Sequence, residues 1–158
     1  MTPAITLLKK KRIAHTILKY DHESNAPSYG LEAAEKLSLA PNAVFKTLVV
    51  SDEASKLAVA LVPVNTKLSE KKLAKVLSVK KITMAPSDAV TASTGYLLGG
   101  VSPLGQKKRL VTVLHETALQ HDVIYVSAGK RGLELEITPQ HLISLTQAKA
   151  ADITASAS

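Results

Sequence analysis

The sequence predicts an α+β domain, a mixed, barrel-like β-sheet surrounded by short helices. Three observations lead there. About six or seven short strand-like segments are mixed irregularly with four or five short helical ones. No regular βαβαβ alternation runs along the chain, which argues against a doubly wound parallel sheet. Hydrophobic residues make up 46% of the composition but aromatic ones only 3%, so the core must be packed from Val, Leu, Ile and Ala. The 158 residues suit one domain with one core, and no internal repeat or linker-like break divides them.

Each element has its own signal. Thr2-Pro3 reads as N-cap and first helical position, and Ile5, Leu8 and Arg12 continue one helical face into the cationic run 9–12. Residues 14–20 are rich in β-formers and predict a strand, which ends in Asp21-His22-Glu23 and a polar loop holding Pro27 and Gly30. Ala33, Ala34 and Leu37 at helical spacing predict a helix over 31–39, stopped by Pro41-Asn42. Residues 44–50, V-F-K-T-L-V-V, form the strongest strand signal, and a polar turn at 52–55 joins them to a second apolar strand over 56–64.

Residues 69–77 predict an amphipathic helix with Leu73, Val76 and Leu77 inward and Lys71, Lys72 and Lys75 outward. A short strand at 82–85 and a helix over 87–94 follow, the latter stopped by Gly95. Strands are predicted at 110–114 and 123–127. Residues 133–138 alternate cleanly, with Leu133, Leu135 and Ile137 opposite Glu134, Glu136 and Thr138. Thr138-Pro139 starts a last helix through Leu145, and the Ala/Ser/Thr-rich stretch 147–158 is expected to fray.

Charge narrows the partners. A formal net charge of +7 favours an acidic one, RNA, DNA, a nucleotide or an anionic surface, without choosing among them. One Phe, four Tyr and no Trp leave few rings for base stacking, so a nucleic acid would be held mostly by phosphate or by one end. No apolar run reaches transmembrane length and no signal-peptide core opens the chain, so a cytosolic protein is expected. With no cysteine, disulfides, thiolate metal sites and a Cys nucleophile are excluded.

Four of the seven glycines fall in 94–109, T-G-Y-L-L-G-G-V-S-P-L-G-Q-K-K-R. A Gly-Gly pair lets backbone approach a ligand and aim N–H groups at a negative oxygen, while Lys107, Lys108 and Arg109 suit a phosphate. The same residues also fit an ordinary turn followed by a solvated charge run. Lys46, flanked by Val, Phe, Leu and Val, either meets an anionic partner or cavity, with burial lowering its pKa, or snorkels to water from a strand edge. Residues 126–132, V-S-A-G-K-R-G, are a second small-residue turn, carrying Ser127, Lys130 and Arg131. It reads as a pocket wall or as a plain hairpin.

Other motifs fail. His115 and His121 lie six apart, about 240° around a helix, so the pair is not a zinc helix, and no metal or other cofactor is expected. Residues 100–107, G-V-S-P-L-G-Q-K, miss the phosphate-loop pattern, and no G-x-S-x-G elbow is present.

Three segments, F-K-T-L at 45–48, S-T-G-Y-L-L-G-G-V-S-P-L-G-Q-K-K-R at 93–109 and V-S-A-G-K-R-G-L at 126–133, closely resemble the YbaK/EbsC family of aminoacyl-tRNA editing proteins. The likeness runs from T-P-A-I at the start to I-T-P-Q-H-L near the end, and the long glycine-rich form resembles the cysteine-specific branch. It implies a trans-editing deacylase that clears cysteine from Cys-tRNA(Pro), and other cysteinyl-tRNA as well, in transient complex with prolyl-tRNA synthetase and away from DNA and membranes. By that resemblance Lys46 is the essential lysine and Gly99 contacts the aminoacyl group or terminal adenosine. Tyr20, Thr47 and Ser127 match pocket positions, and Gly100 is expected to bind the substrate beside Gly99; by their charge, not by the resemblance, Lys107, Lys108, Arg109, Lys130 and Arg131 are expected to meet tRNA phosphates. Glu134 stands where an aspartate is common, its carboxylate shifted by more than about one ångström by the extra methylene. The family is thought to use the substrate's own thiol as nucleophile. Two other readings stay open: a non-catalytic tRNA or nucleotide-binding module, and editing of another small amino acid such as alanine.

Overall fold

The computed structural model describes residues 1–24 and 28–155. They form eight strands and five α-helices, the predicted α+β mixture. In order these are α1 (Pro3–Lys11), β1 (Thr16–Lys19), α2 (Tyr29–Lys36), β2 (Phe45–Asp52), β3 (Leu57–Pro63), α3 (Glu70–Leu77), β4 (Ile82–Met84), α4 (Ser87–Thr94), β5 (Val111–His115), β6 (Ile124–Lys130), β7 (Leu133–Ile137), α5 (Pro139–Thr146) and β8 (Lys149–Ala151). No helix among the described residues is long and apolar enough to cross a membrane.

The barrel-like sheet resolves into two sheets. One has the order β1-β7-β6 and is antiparallel throughout. The other has the order β4-β2-β3-β5-β8, antiparallel around the β2–β3 hairpin and parallel from β3 through β5 to β8. They meet at a parallel bridge between Val44 and Tyr125, which sets the start of β2 beside β6. Leu8, Phe45, Leu61, Leu114, Ile124, Leu135 and Leu142, the chain's one Phe among them, fill the main core. Each such side chain contributes roughly 1.5–3 kcal/mol by leaving water. A second cluster, including Val50, Val62, Leu73 and Ile153, is covered by α3.

Local chemistry explains the helix starts. Thr2, Ser28, Ser69 and Thr138 each accept a backbone N–H of the first turn, at Ile5, Leu31, Lys72 and His141. Gly95 takes the left-handed conformation that ends α4, as expected.

Two expectations need correction. Gly30, expected in a loop, is the second residue of α2, because only a residue without Cβ lets this helix lie against Val64; an added Cβ would sit 2.3 Å from Val64 Cγ1. Part of that expected loop, including Pro27, lies outside the described residues. The stretch 147–155 does not fray. β8 pairs with β5, Ile153 is fully buried, and its N–H donates to His115 Nδ1 at 3.2 Å. Lys72 Nζ holds Asp152 at 2.9 Å and Thr154 bridges Leu68. Residues 156–158 lie outside the described residues.

Candidate active site

One cavity of about 390 Å³ opens where the two sheets meet. β2 supplies Lys46 and Thr47, and Tyr20 follows the end of β1. Ser127 and Lys130 come from β6, Arg131 from the turn after it, and Glu134 from β7. The turn after α4 contributes Leu98 and Gly99, and the start of α2 contributes Ser28 and Tyr29. Strand register does the gathering. Glu134 pairs with Ser127 on one side and Leu18 on the other, and the Val44–Tyr125 bridge draws β2 alongside. Eight of the residues singled out in the sequence thus share one wall-to-wall space: Tyr20, Lys46, Thr47, Gly99, Ser127, Lys130, Arg131 and Glu134.

Lys46 is partly buried, and its Nζ donates to the Thr66 carbonyl at 2.8 Å. Burial first, and then the nearby charge of Lys67, holds its ammonium below the usual lysine range. The amine is therefore fixed in place and easier to deprotonate than a surface lysine. Across the cavity, the Gly100 N–H donates to Leu97 O at 3.0 Å and closes a turn with Gly99 at its third position. There φ is +90°, and a Cβ would stand 2.6 Å from the Tyr29 ring, so both the backbone conformation and the contact require glycine.

The walls carry polar atoms without protein partners. Thr47 Oγ1, Arg131 Nε and Nη2 and Glu134 Oε2 are all buried and unpaired among the described residues. Buried polar groups are usually hydrogen-bonded, so three such residues around one cavity suit a polar ligand. The Arg131 guanidinium carbon lies 3.6 Å from the Tyr29 ring centroid, a cation–π contact that orients it. Tyr29 is in turn anchored through α2. Glu32, buried in that helix, accepts from His22 Nδ1 at 2.7 Å and from the Glu23 N–H at 2.9 Å.

The alternation of β7 predicted a core face and an opposite face. Leu135 and Ile137 are buried as expected, but Glu134 on the other face is only 6% exposed, because that face is roofed by the cavity walls. Burial pushes its carboxyl up to about 8 from an ordinary 4.5. Between those values the unfolded chain has lost this proton while the folded protein keeps it, so the group's contribution to stability declines as pH rises and levels off above about 8. Glu134→Gln removes that slope. In denaturant titrations from about pH 5.5 to pH 8, wild type should lose on the order of 1–3 kcal/mol relative to Glu134→Gln; parallel curves would show that the carboxyl is ionised throughout.

Other placements differ from expectation. Gly100 does not line the cavity, and its N–H is spent on Leu97. Lys107, Lys108 and Arg109 border a different cavity, since the loop turns away after Gly100 and its N–H groups at Lys107 and Lys108 bond to Thr94 O and Ser93 O. Tyr29 was missed. Nothing near it in the sequence marks it, and its role comes from Gly99 and Arg131, which are distant along the chain.

Comparison with known proteins places this geometry. The family model of the aminoacyl-tRNA editing domain matches residues 23–145. An Enterococcus faecalis protein provisionally named Cys-tRNA(Pro)/Cys-tRNA(Cys) deacylase EbsC is 44% identical over 121 residues, covering 77% of this chain and 74% of that protein. A proline–tRNA ligase of Syntrophotalea carbinolica is 29% identical over 130 residues, which make up 77% of this chain but 22% of the ligase. The fold is shared with a crystal structure provisionally described as a trans-editing enzyme for prolyl tRNA synthetase, at a TM-score of 0.84, 22% identity and 99% coverage of both chains.

Proposed function

The chain belongs to the aminoacyl-tRNA editing domain family, and from that premise we propose that it is a single-domain deacylase that removes cysteine from Cys-tRNA(Pro). Cys-tRNA(Cys) is a second substrate in this reading, and prolyl-tRNA synthetase a transient partner in the cytoplasm. No cofactor, metal, membrane or DNA is involved. The observation that carries it is the convergence of Lys46, the Gly99 turn and unpaired polar atoms of Thr47, Arg131 and Glu134 on one cavity.

The reaction needs no nucleophile from the protein. The substrate's cysteine sulfur attacks its own ester carbonyl; a C–S bond forms, the C–O bond to the ribose breaks, and the thiol proton ends on the ribose oxygen. Cysteine thiolactone leaves and later opens in water. Holding sulfur and carbonyl in a near-attack arrangement removes the entropic cost of bringing two reactants together. The Gly99 N–H faces the carbonyl oxygen as charge develops on it. Lys46 adds positive potential or, when neutral, takes the thiol proton. Tyr20, Thr47 and Ser127 orient the aminoacyl-adenosine end, and protonated Glu134 donates a hydrogen bond. A neighbouring groove of about 570 Å³ shares Tyr20, Lys130 and Arg131 and adds Lys19, giving the last phosphates a cationic exit.

A panel of charged tRNAs tests the reading. Purified protein should release cysteine from Cys-tRNA(Pro) at least about a thousandfold faster than alanine or proline from the same tRNA. Faster release of alanine would make this an alanine editor, and binding without release would make it a tRNA-binding module.

A further inference from the structure

The three cations that close the glycine-rich loop have a cavity of their own. Lys107, Lys108 and Arg109 border a space of about 670 Å³, and Lys11 at the end of α1 lines it as well. No acidic residue lines it, and none of the four cations is in an ion pair among the described residues. The loop is held where it carries Lys107 and Lys108. The Lys107 N–H donates to Thr94 O at 3.1 Å, the Lys108 N–H to Ser93 O at 2.9 Å, and Gln106 Nε2 to Ser102 O at 2.9 Å. All four side chains are exposed, yet they line one concavity, where like charges concentrate a positive potential that an entering anion would meet.

The chemistry of the walls narrows the anion. Ser144 adds a neutral donor beside the cations, Gln106 Nε2 keeps a second N–H beyond its bond to Ser102 O, and no aromatic ring lines the space on which a base could stack. That combination recognises phosphate and sugar rather than base identity. The 94–109 loop also joins this cavity to the other one, since Leu98 and Gly99 line the ester site and Lys107 to Arg109 line this one. We propose that this second cavity grips the phosphodiester backbone of the substrate's acceptor arm while the aminoacyl ester occupies the site at Lys46 and Gly99. The inference rests on the editing function proposed above. It makes the recognition sequence-independent and salt-sensitive, and it gives intact tRNA an advantage over short aminoacyl-nucleosides.

The experiment measures binding of an uncharged tRNA transcript across a range of KCl concentrations. Lys107→Ala/Lys108→Ala/Arg109→Ala is compared with Lys56→Ala/Lys71→Ala/Lys75→Ala, which removes equal charge from exposed lysines elsewhere. The first variant should weaken binding at least about tenfold and flatten the slope of log K against log salt by about 2, and the control should change the slope by less than about 1. Lys108→Ala/Arg109→Ala keeps the Lys107 stem beside Gly95 and should give an intermediate loss if the triple variant does not fold. Equal effects of the two triple variants, or wild-type binding by the first, overturn the proposal. Deacylation in the same preparations separates the two readings: wild-type binding without turnover sinks the editing function alone, and turnover with an unchanged KM in the first variant sinks the second cavity alone.

Discussion

Lys46→Ala is expected to lower kcat/KM for Cys-tRNA(Pro) by at least about 100-fold, while affinity for the tRNA changes less than about threefold. The split follows from where the amine sits. It lines the ester cavity, tethered to Thr66 O, and does not line the second cavity, which the loop cations border. Removing it strips positive charge from the point where the carbonyl develops negative charge and leaves the phosphate contacts intact. Lys46→Arg keeps the charge but replaces a compact, readily deprotonated amine with a planar group that stays protonated. It should restore less than about a tenth of the rate if the amine also handles the thiol proton. Unchanged turnover in Lys46→Ala would reject the assignment.

The second large effect lies in the substrate. Ser-tRNA(Pro) and Ala-tRNA(Pro), of nearly the same size as the cysteinyl ester, should be cleaved at least about a thousandfold more slowly, because effective molarities of well-oriented intramolecular attack are very large and both substitutions remove it. Serine keeps a nucleophilic atom at the same place, but its hydroxyl is far less acidic than a thiol, so it tests nucleophilicity rather than fit. The initial product from Cys-tRNA(Pro) should be the thiolactone, trapped by hydroxylamine before it opens. Comparable rates for the three esters would mean that a water molecule attacks, and Glu134 and Lys46 would then be the groups placed to activate it.

Much of this was legible in the sequence because it depends on local patterns. Thr2-Pro3 and Thr138-Pro139 start α1 and α5, the run V-F-K-T-L-V-V becomes β2, and Lys46 stands out as one charge amid apolar neighbours. What depends on distant contacts was not. Lys149-Ala150-Ala151 has little strand propensity of its own and is extended only because β5 offers an open edge and Ile153 a buried seat. Alternation sets Glu134 opposite the Leu135 and Ile137 face without showing that its own face is covered too, and the packing of β2 against β6 encloses it. Tyr29 acquires meaning from Gly99 and Arg131. The loop cations were read together with the diglycine because they are close in sequence, yet the turn at 97–100 sends the two ends to different cavities.

The central claim, that the ester is held between Lys46 and the Gly99 turn, is tested most directly by a crystal structure with a non-cleavable amide analogue of cysteinyl-adenosine. The predicted result places the carbonyl oxygen within about 3.2 Å of the Gly99 amide nitrogen, with the sulfur turned toward the analogue's own carbonyl carbon. An analogue seated outside the cavity lined by Lys46, Gly99 and Glu134 would contradict it.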